Sequence, residues 1–89
     1  MITVMRFTAP WCAPCKMLAP VIQGLAQEFP DVTFETVDVD GNPDMAQHFN
    51  IRSVPTVLVL NKDDAIIHTF VGVQPRQTYI DAIKTAQEM

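Results

Sequence analysis

Eighty-nine residues, 48% of them hydrophobic and 18% charged, describe one small domain (1–89) with an apolar core and exclude a disordered chain. The formal net charge is -4 and no basic cluster is present, so nucleic-acid binding has no electrostatic footing. No apolar run reaches the length of a membrane span and the opening residues do not read as a signal peptide, so a reducing cytoplasm is the expected compartment. There, the two cysteines are expected to be catalytic or metal-binding rather than a permanent staple.

Ile2 to Phe7 reads as the first strand. Its apolar positions, Ile2, Val4, Met5 and Phe7, do not alternate strictly, which suits a central strand covered on both faces. Arg6 interrupts it. Thr8-Ala9-Pro10 then leads from the carboxyl end of this strand, where open α/β folds place their chemistry, to Trp11-Cys12-Ala13-Pro14-Cys15-Lys16. From Cys12 to about Phe29 the residues Met17, Leu18, Val21, Ile22, Leu25, Ala26 and Phe29 keep helical spacing. Pro20 should kink this helix, and Pro30 closes it.

The cysteine spacing carries local chemistry. With Cys12 as the cap of the helix and Cys15 one turn later, the two sulfurs share a face and can close a small disulfide ring with little backbone movement. The unpaired N–H groups of the first turn and the positive end of the helix dipole favour an anion at Cys12, whose pKa should fall below that of a free thiol. Cys12 is therefore the expected nucleophile. Cys15, further into the helix, would stay protonated until it attacks the mixed disulfide. Pro14 removes an N–H that the first turn leaves unpaired anyway, and Trp11 offers a flat apolar surface beside the sulfur.

Val32 to Val39 alternates, with Val32, Phe34, Thr36 and Asp38 on one side and Thr33, Glu35, Val37 and Val39 on the other. A parallel strand joined to the first by a right-handed crossover is expected. Asn42 is a good N-cap for a short helix that starts at Pro43 and runs to about Phe49, where Asn50 can take the left-handed conformation that ends it. Asp38, Asp40 and Asp44 surround this turn and helix start, and solvated capping explains them better than a cation site. Thr56 to Leu60 reads as a buried strand with Ala65 to Val71 as its antiparallel partner. The connection between them lacks glycine, so Asn61 or an aspartate must supply any positive φ. Gln74-Pro75 opens the last helix, whose apolar set is Tyr79, Ile80, Ile83 and Ala86. His48 and His68 are too isolated to act as catalytic bases.

Trp-Cys-Ala-Pro-Cys-Lys resembles the active-site motif of the thioredoxin family, with Ala13 where the usual motif has glycine. Ser53-Val54-Pro55-Thr56 resembles that family's cis-proline loop, and Val71-Gly72-Val73 its glycine-containing substrate-groove segment. The likeness covers nearly the whole chain and implies a minimal thioredoxin-like α/β fold, a four-stranded mixed sheet flanked by three helices in the order β-α-β-α-β-β-α. The larger thioredoxins carry a further strand and helix in front of this core. Also implied is a thiol-disulfide oxidoreductase that reduces protein disulfides and is re-reduced by a thioredoxin reductase-like enzyme. Cys12 and Cys15 would then be the catalytic pair, and no cofactor or metal is called for. Substrate would meet Trp11, Ala13, Pro14, Val54, Pro55, Gly72 and Val73. A cis Val54-Pro55 bond would lie against the Cys12 side of the dithiol, with the Val54 backbone free to pair with an extended substrate as an added strand. Membrane binding is not implied, and monomer is the default state.

Arg6 departs from the resemblance, which would place a buried acid six residues before the nucleophile. Thr36, where many relatives have a lysine, departs too. Arg6 either lies near the dithiol and stabilises thiolate or snorkels to the sheet's edge and covers apolar surface, and Lys16 either supports the thiolate by its proximity or is a solvated helix residue. Snorkelling is favoured, because an unpaired buried cation is costly. Two alternatives to the thioredoxin role remain in the residues. A glutaredoxin-like, glutathione-coupled protein would fit the chain's size, although a tyrosine inside the motif and a Gly-Gly turn are missing. A zinc or structural module would need four ligands, and only two cysteines and two distant histidines are on offer.

Overall fold

The computed structural model describes residues 1–89, and β1 (Thr3–Thr8) is the strand on which the rest is laid. Its four inner residues, Val4 to Phe7, are all buried, Arg6 among them, as a strand covered on both faces requires. β2 (Thr33–Asp38) pairs with it in parallel, Arg6 standing opposite Thr36. β3 (Thr56–Leu60) pairs with its other edge antiparallel, and β4 (Ile66–Val71) pairs antiparallel with β3. The sheet therefore runs β2-β1-β3-β4, and its four-stranded mixed character is the one expected.

Strand alternation divides the apolar residues between two faces. Val4, Val57, Val59 and Val32 face α1 (Ala13–Glu28) and α3 (Arg76–Gln87), whose Leu18, Ile22, Leu25, Tyr79 and Ile83 complete the larger core. Met5, Phe7, Val37, Leu58 and Leu60 form the opposite face, packed by Met45, Phe49 and Ile51 around α2 (Pro43–His48). Each fully buried Leu, Ile or Phe contributes about 1.5–3 kcal/mol, so the larger core anchors the helix that carries the cysteines.

Local turns follow the residue chemistry with one exception. Asn50 has φ 56° at the end of α2, and Asp64 has φ 62° in the β3–β4 connection, where the Asn61 side chain accepts the amides of Asp63 and Ala65. Asn42 is the exception. It occupies the N-cap position of α2 but makes no capping hydrogen bond, because its amide donates to the Asp38 carbonyl at 3.0 Å. The long first helix continues through Pro20 to Glu28. No helix is long and apolar enough to cross a membrane.

Candidate active site

β1 ends at Thr8, and four residues later the chain turns into α1 with Cys12 as N-cap. The Cys12 amide donates to the Ala9 carbonyl at 3.1 Å, which fixes the turn. Cys12 and Cys15 are joined as a disulfide with their Cα atoms 5.3 Å apart. The Cys15 amide, one of the first-turn donors that the helix cannot satisfy, donates to Cys12 Sγ at 3.2 Å. No acidic residue stands in that first turn, so nothing there opposes negative charge on Cys12. Both cysteines pack in a small cluster with Ala9, against Val39 and Val54, and Cys15 is 1% exposed.

Pro55 follows a cis peptide bond, and its loop abuts the dithiol through Val54. The loop is held at both ends. Thr56 Oγ1 donates to the Ser53 carbonyl at 2.7 Å, and the Gly72 amide donates to the Pro55 carbonyl at 2.9 Å. Gly72 has φ +82°, a conformation that a side chain would strain although nothing crowds its Cβ position. The Val71-Gly72-Val73 segment is thus tied to the proline loop, and Val71 and Val73 remain exposed. Ala13 and Pro14 are exposed as well.

Trp11 is 69% exposed and is held in place by its indole N–H, which donates to Asp40 Oδ2 at 2.9 Å. An apolar groove of about 140 Å³ runs beside it, lined also by Val39, Ile51, Arg52, Ser53 and Val54. Sequence reading missed Asp40, Ile51 and Arg52 as parts of this surface. Asp38 and Asp40 do not cap α2: Asp38 Oδ1 accepts the Asp40 amide at 3.0 Å, and Asp40 holds the tryptophan. A contact spanning 29 residues leaves no local sequence signal.

Arg6 is 8% exposed, and its Nη2 donates at 3.2 Å to Oγ1 of Thr36, an exposed residue of the edge strand β2. Burial lowers its pKa from the ordinary arginine value. With Lys16, Asp38 and Cys15 of the disulfide, Arg6 lines an open cavity of about 270 Å³.

A helix-capping dithiol at the carboxyl end of a central strand, with a cis-proline loop against it, defines a protein of thiol-disulfide exchange. The chain belongs to the thioredoxin family, whose thioredoxin model matches residues 1–85. It is 40% identical over 86 residues to a thioredoxin of Chlamydia trachomatis, covering 97% of this chain and 83% of that one. It is 46% identical over 72 residues to a thioredoxin of Bacillus subtilis, covering 80% of this chain and 68% of that one. Among solved structures, a variant thioredoxin from Halobacterium salinarum superposes with a TM-score of 0.90 at 33% identity, covering 99% of this chain and 76% of that one. The protein is accordingly a thiol-disulfide oxidoreductase that works through its own disulfide and needs no cofactor.

Proposed function

We propose that the protein reduces disulfides of other proteins in a reducing cytoplasm, as a single domain and a monomer, with Cys12 as nucleophile and Cys15 as resolving thiol. The Cys15 amide directed at Cys12 Sγ is the observation that carries this assignment of roles. It favours thiolate at Cys12, which also borders the face where Trp11 and Val54 offer an apolar seat. The Cys12 thiolate attacks one sulfur of a substrate disulfide and forms a mixed disulfide, and the other substrate sulfur leaves with the electron pair and takes a proton. Cys15 then loses its proton and attacks Cys12 Sγ, the Cys12–Cys15 bond closes, and the second substrate sulfur departs and is protonated. Two electrons pass from the dithiol to the substrate. A reductase restores the dithiol by the reverse exchange.

Substrate recognition is assigned to Trp11, Ala13, Pro14, Val54, Pro55, Gly72 and Val73, with an extended segment pairing along the Val54 backbone. Insulin disulfide reduction, driven by dithiothreitol or by a thioredoxin reductase, tests the reading. The parent chain is expected to turn over, whereas Cys12→Ser is expected to be inert. A parent chain that forms no reversible dithiol would overturn the reading.

A further inference from the structure

Arg6 is the one charged side chain in the buried core, and nothing of opposite charge is paired with it. Strand alternation puts it with Val4 on the α1 side of β1. Beyond the bond to Thr36, its Nε is buried with no hydrogen-bond partner, and the structure's only ion pair joins Arg76 to Glu28 far from it in sequence. A buried cation so poorly satisfied is costly, so the state of the protein that supplies it with an anion is favoured over the state that does not.

The cavity lined by Arg6 identifies that anion. Its wall includes Cys15, Lys16 and Ala19 of α1 together with Thr8 and Asp38, whereas Cys12 is not part of it. Asp38 is the only carboxylate there, and one of its oxygens is occupied by the Asp40 amide. Lys16 is exposed, so solvent screens it.

We propose that Arg6 is a positioning residue for the resolving cysteine, its buried charge favouring the Cys15 thiolate across this cavity whenever the disulfide is open. The inference rests on the exchange chemistry proposed above. In the mixed disulfide the Cys15 proton leaves to solvent through the open cavity. The Cys15 sulfur then bonds to Cys12 Sγ as the bond from Cys12 to substrate breaks, and the released substrate sulfur takes up a proton. In the closed disulfide Cys15 carries no charge, and Thr36 is the one side chain to which Arg6 donates. Where Cys15 is ionised in the open form, the cation favours the reduced state and makes the protein a weaker reductant than the same chain without it.

Equilibration of the full chain, Arg6→Gln and Arg6→Lys with glutathione redox buffers at neutral pH tests this, the disulfide fraction being read by thiol alkylation. Arg6→Gln is expected to move the equilibrium toward the disulfide by about tenfold, equivalent to about 30 mV. Arg6→Lys is expected to retain the parent equilibrium, because it keeps the charge. An unmoved equilibrium in Arg6→Gln, or Arg6→Lys behaving like Arg6→Gln, overturns the proposal. Should Arg6→Gln not fold, Cys12→Ser decides with Arg6 intact. The pH dependence of Cys15 alkylation there is expected to give a pKa below the free-thiol value of about 8.5, despite burial, and a higher value overturns the proposal. If the parent chain formed no reversible disulfide at all, the oxidoreductase reading itself would fail, a result distinct from each of these.

Discussion

Two different surfaces flank the disulfide, although Cys12 and Cys15 are themselves both buried. On the Cys12 side stand an exposed indole, the Val54 loop and an apolar groove. On the Cys15 side a sulfur that is 1% exposed shares a cavity with Arg6, Lys16 and Asp38. The first flank is the one proposed to meet substrate, and the second is the one where Arg6 is proposed to act through its charge. Short-range geometry makes this possible, because one helical turn places the two sulfurs close enough to bond while their surroundings remain separate.

The sharpest break of the comparison is to remove one sulfur at a time. Cys12→Ser is expected to abolish disulfide reduction, whereas Cys15→Ser is expected to accumulate a mixed disulfide with substrate that non-reducing electrophoresis displays. Equal behaviour of the two variants would mean that the flanks do not divide the chemistry. Next in size is Leu18→Ala, which removes a fully buried side chain of α1 three residues beyond Cys15. A loss of about 2–5 kcal/mol is expected in urea unfolding, a large share of the stability of so small a domain. Both flanks ride on this helix, so both should loosen together. Trp11→Ala is expected to act on one flank only, lowering kcat/KM for protein disulfides by about tenfold, in the range of a buried aromatic anchor, while leaving reaction with a small linear disulfide near its parent value. If both substrates suffered alike, Trp11 would be serving the thiol rather than the substrate.

The first flank was far more legible in the sequence than the second. Trp11, the cysteine pair and the proline loop are contiguous motifs, and the spacing of Leu18, Ile22 and Leu25 marks the buried face of α1 without further information. Element ends were displaced by a residue or two, since terminal residues are settled by hydrogen bonds that composition does not report. Asn42 illustrates this: its type suits a cap, but the Asp38 carbonyl takes its amide. Arg6 illustrates the larger gap. A strand's period of two assigns it to a face, yet where its head group ends depends on Thr36, 30 residues away, and on the cavity beside Cys15. Asp40 was misread for the same reason, its partner Trp11 being 29 residues distant.

The smallest effect separates the two flanks energetically. Arg6→Met replaces a buried, incompletely bonded cation with an apolar side chain that fits the neighbouring core, so the oxidised protein is expected to gain about 1 kcal/mol, at the lower end of the gains seen when buried charges are replaced by well-packed apolar residues. Because burial lowers the folded-state pKa of Arg6 below its unfolded value, stability from its own titration rises only as pH climbs through that folded value. At neutral pH both states of the chain carry the charge, and the gain should be independent of pH there. If Arg6 acts on Cys15 as proposed, the reduced protein gains less or loses stability, since it forfeits the cation that favours the thiolate. The difference between the oxidised and reduced gains must equal the shift in redox equilibrium, because folding and disulfide formation close a thermodynamic cycle and the unfolded chain feels little of Arg6. Urea unfolding of parent and Arg6→Met, each oxidised and reduced, measures all four corners. Equal gains in the two redox states would leave Arg6 a merely structural cost, with no hold on Cys15.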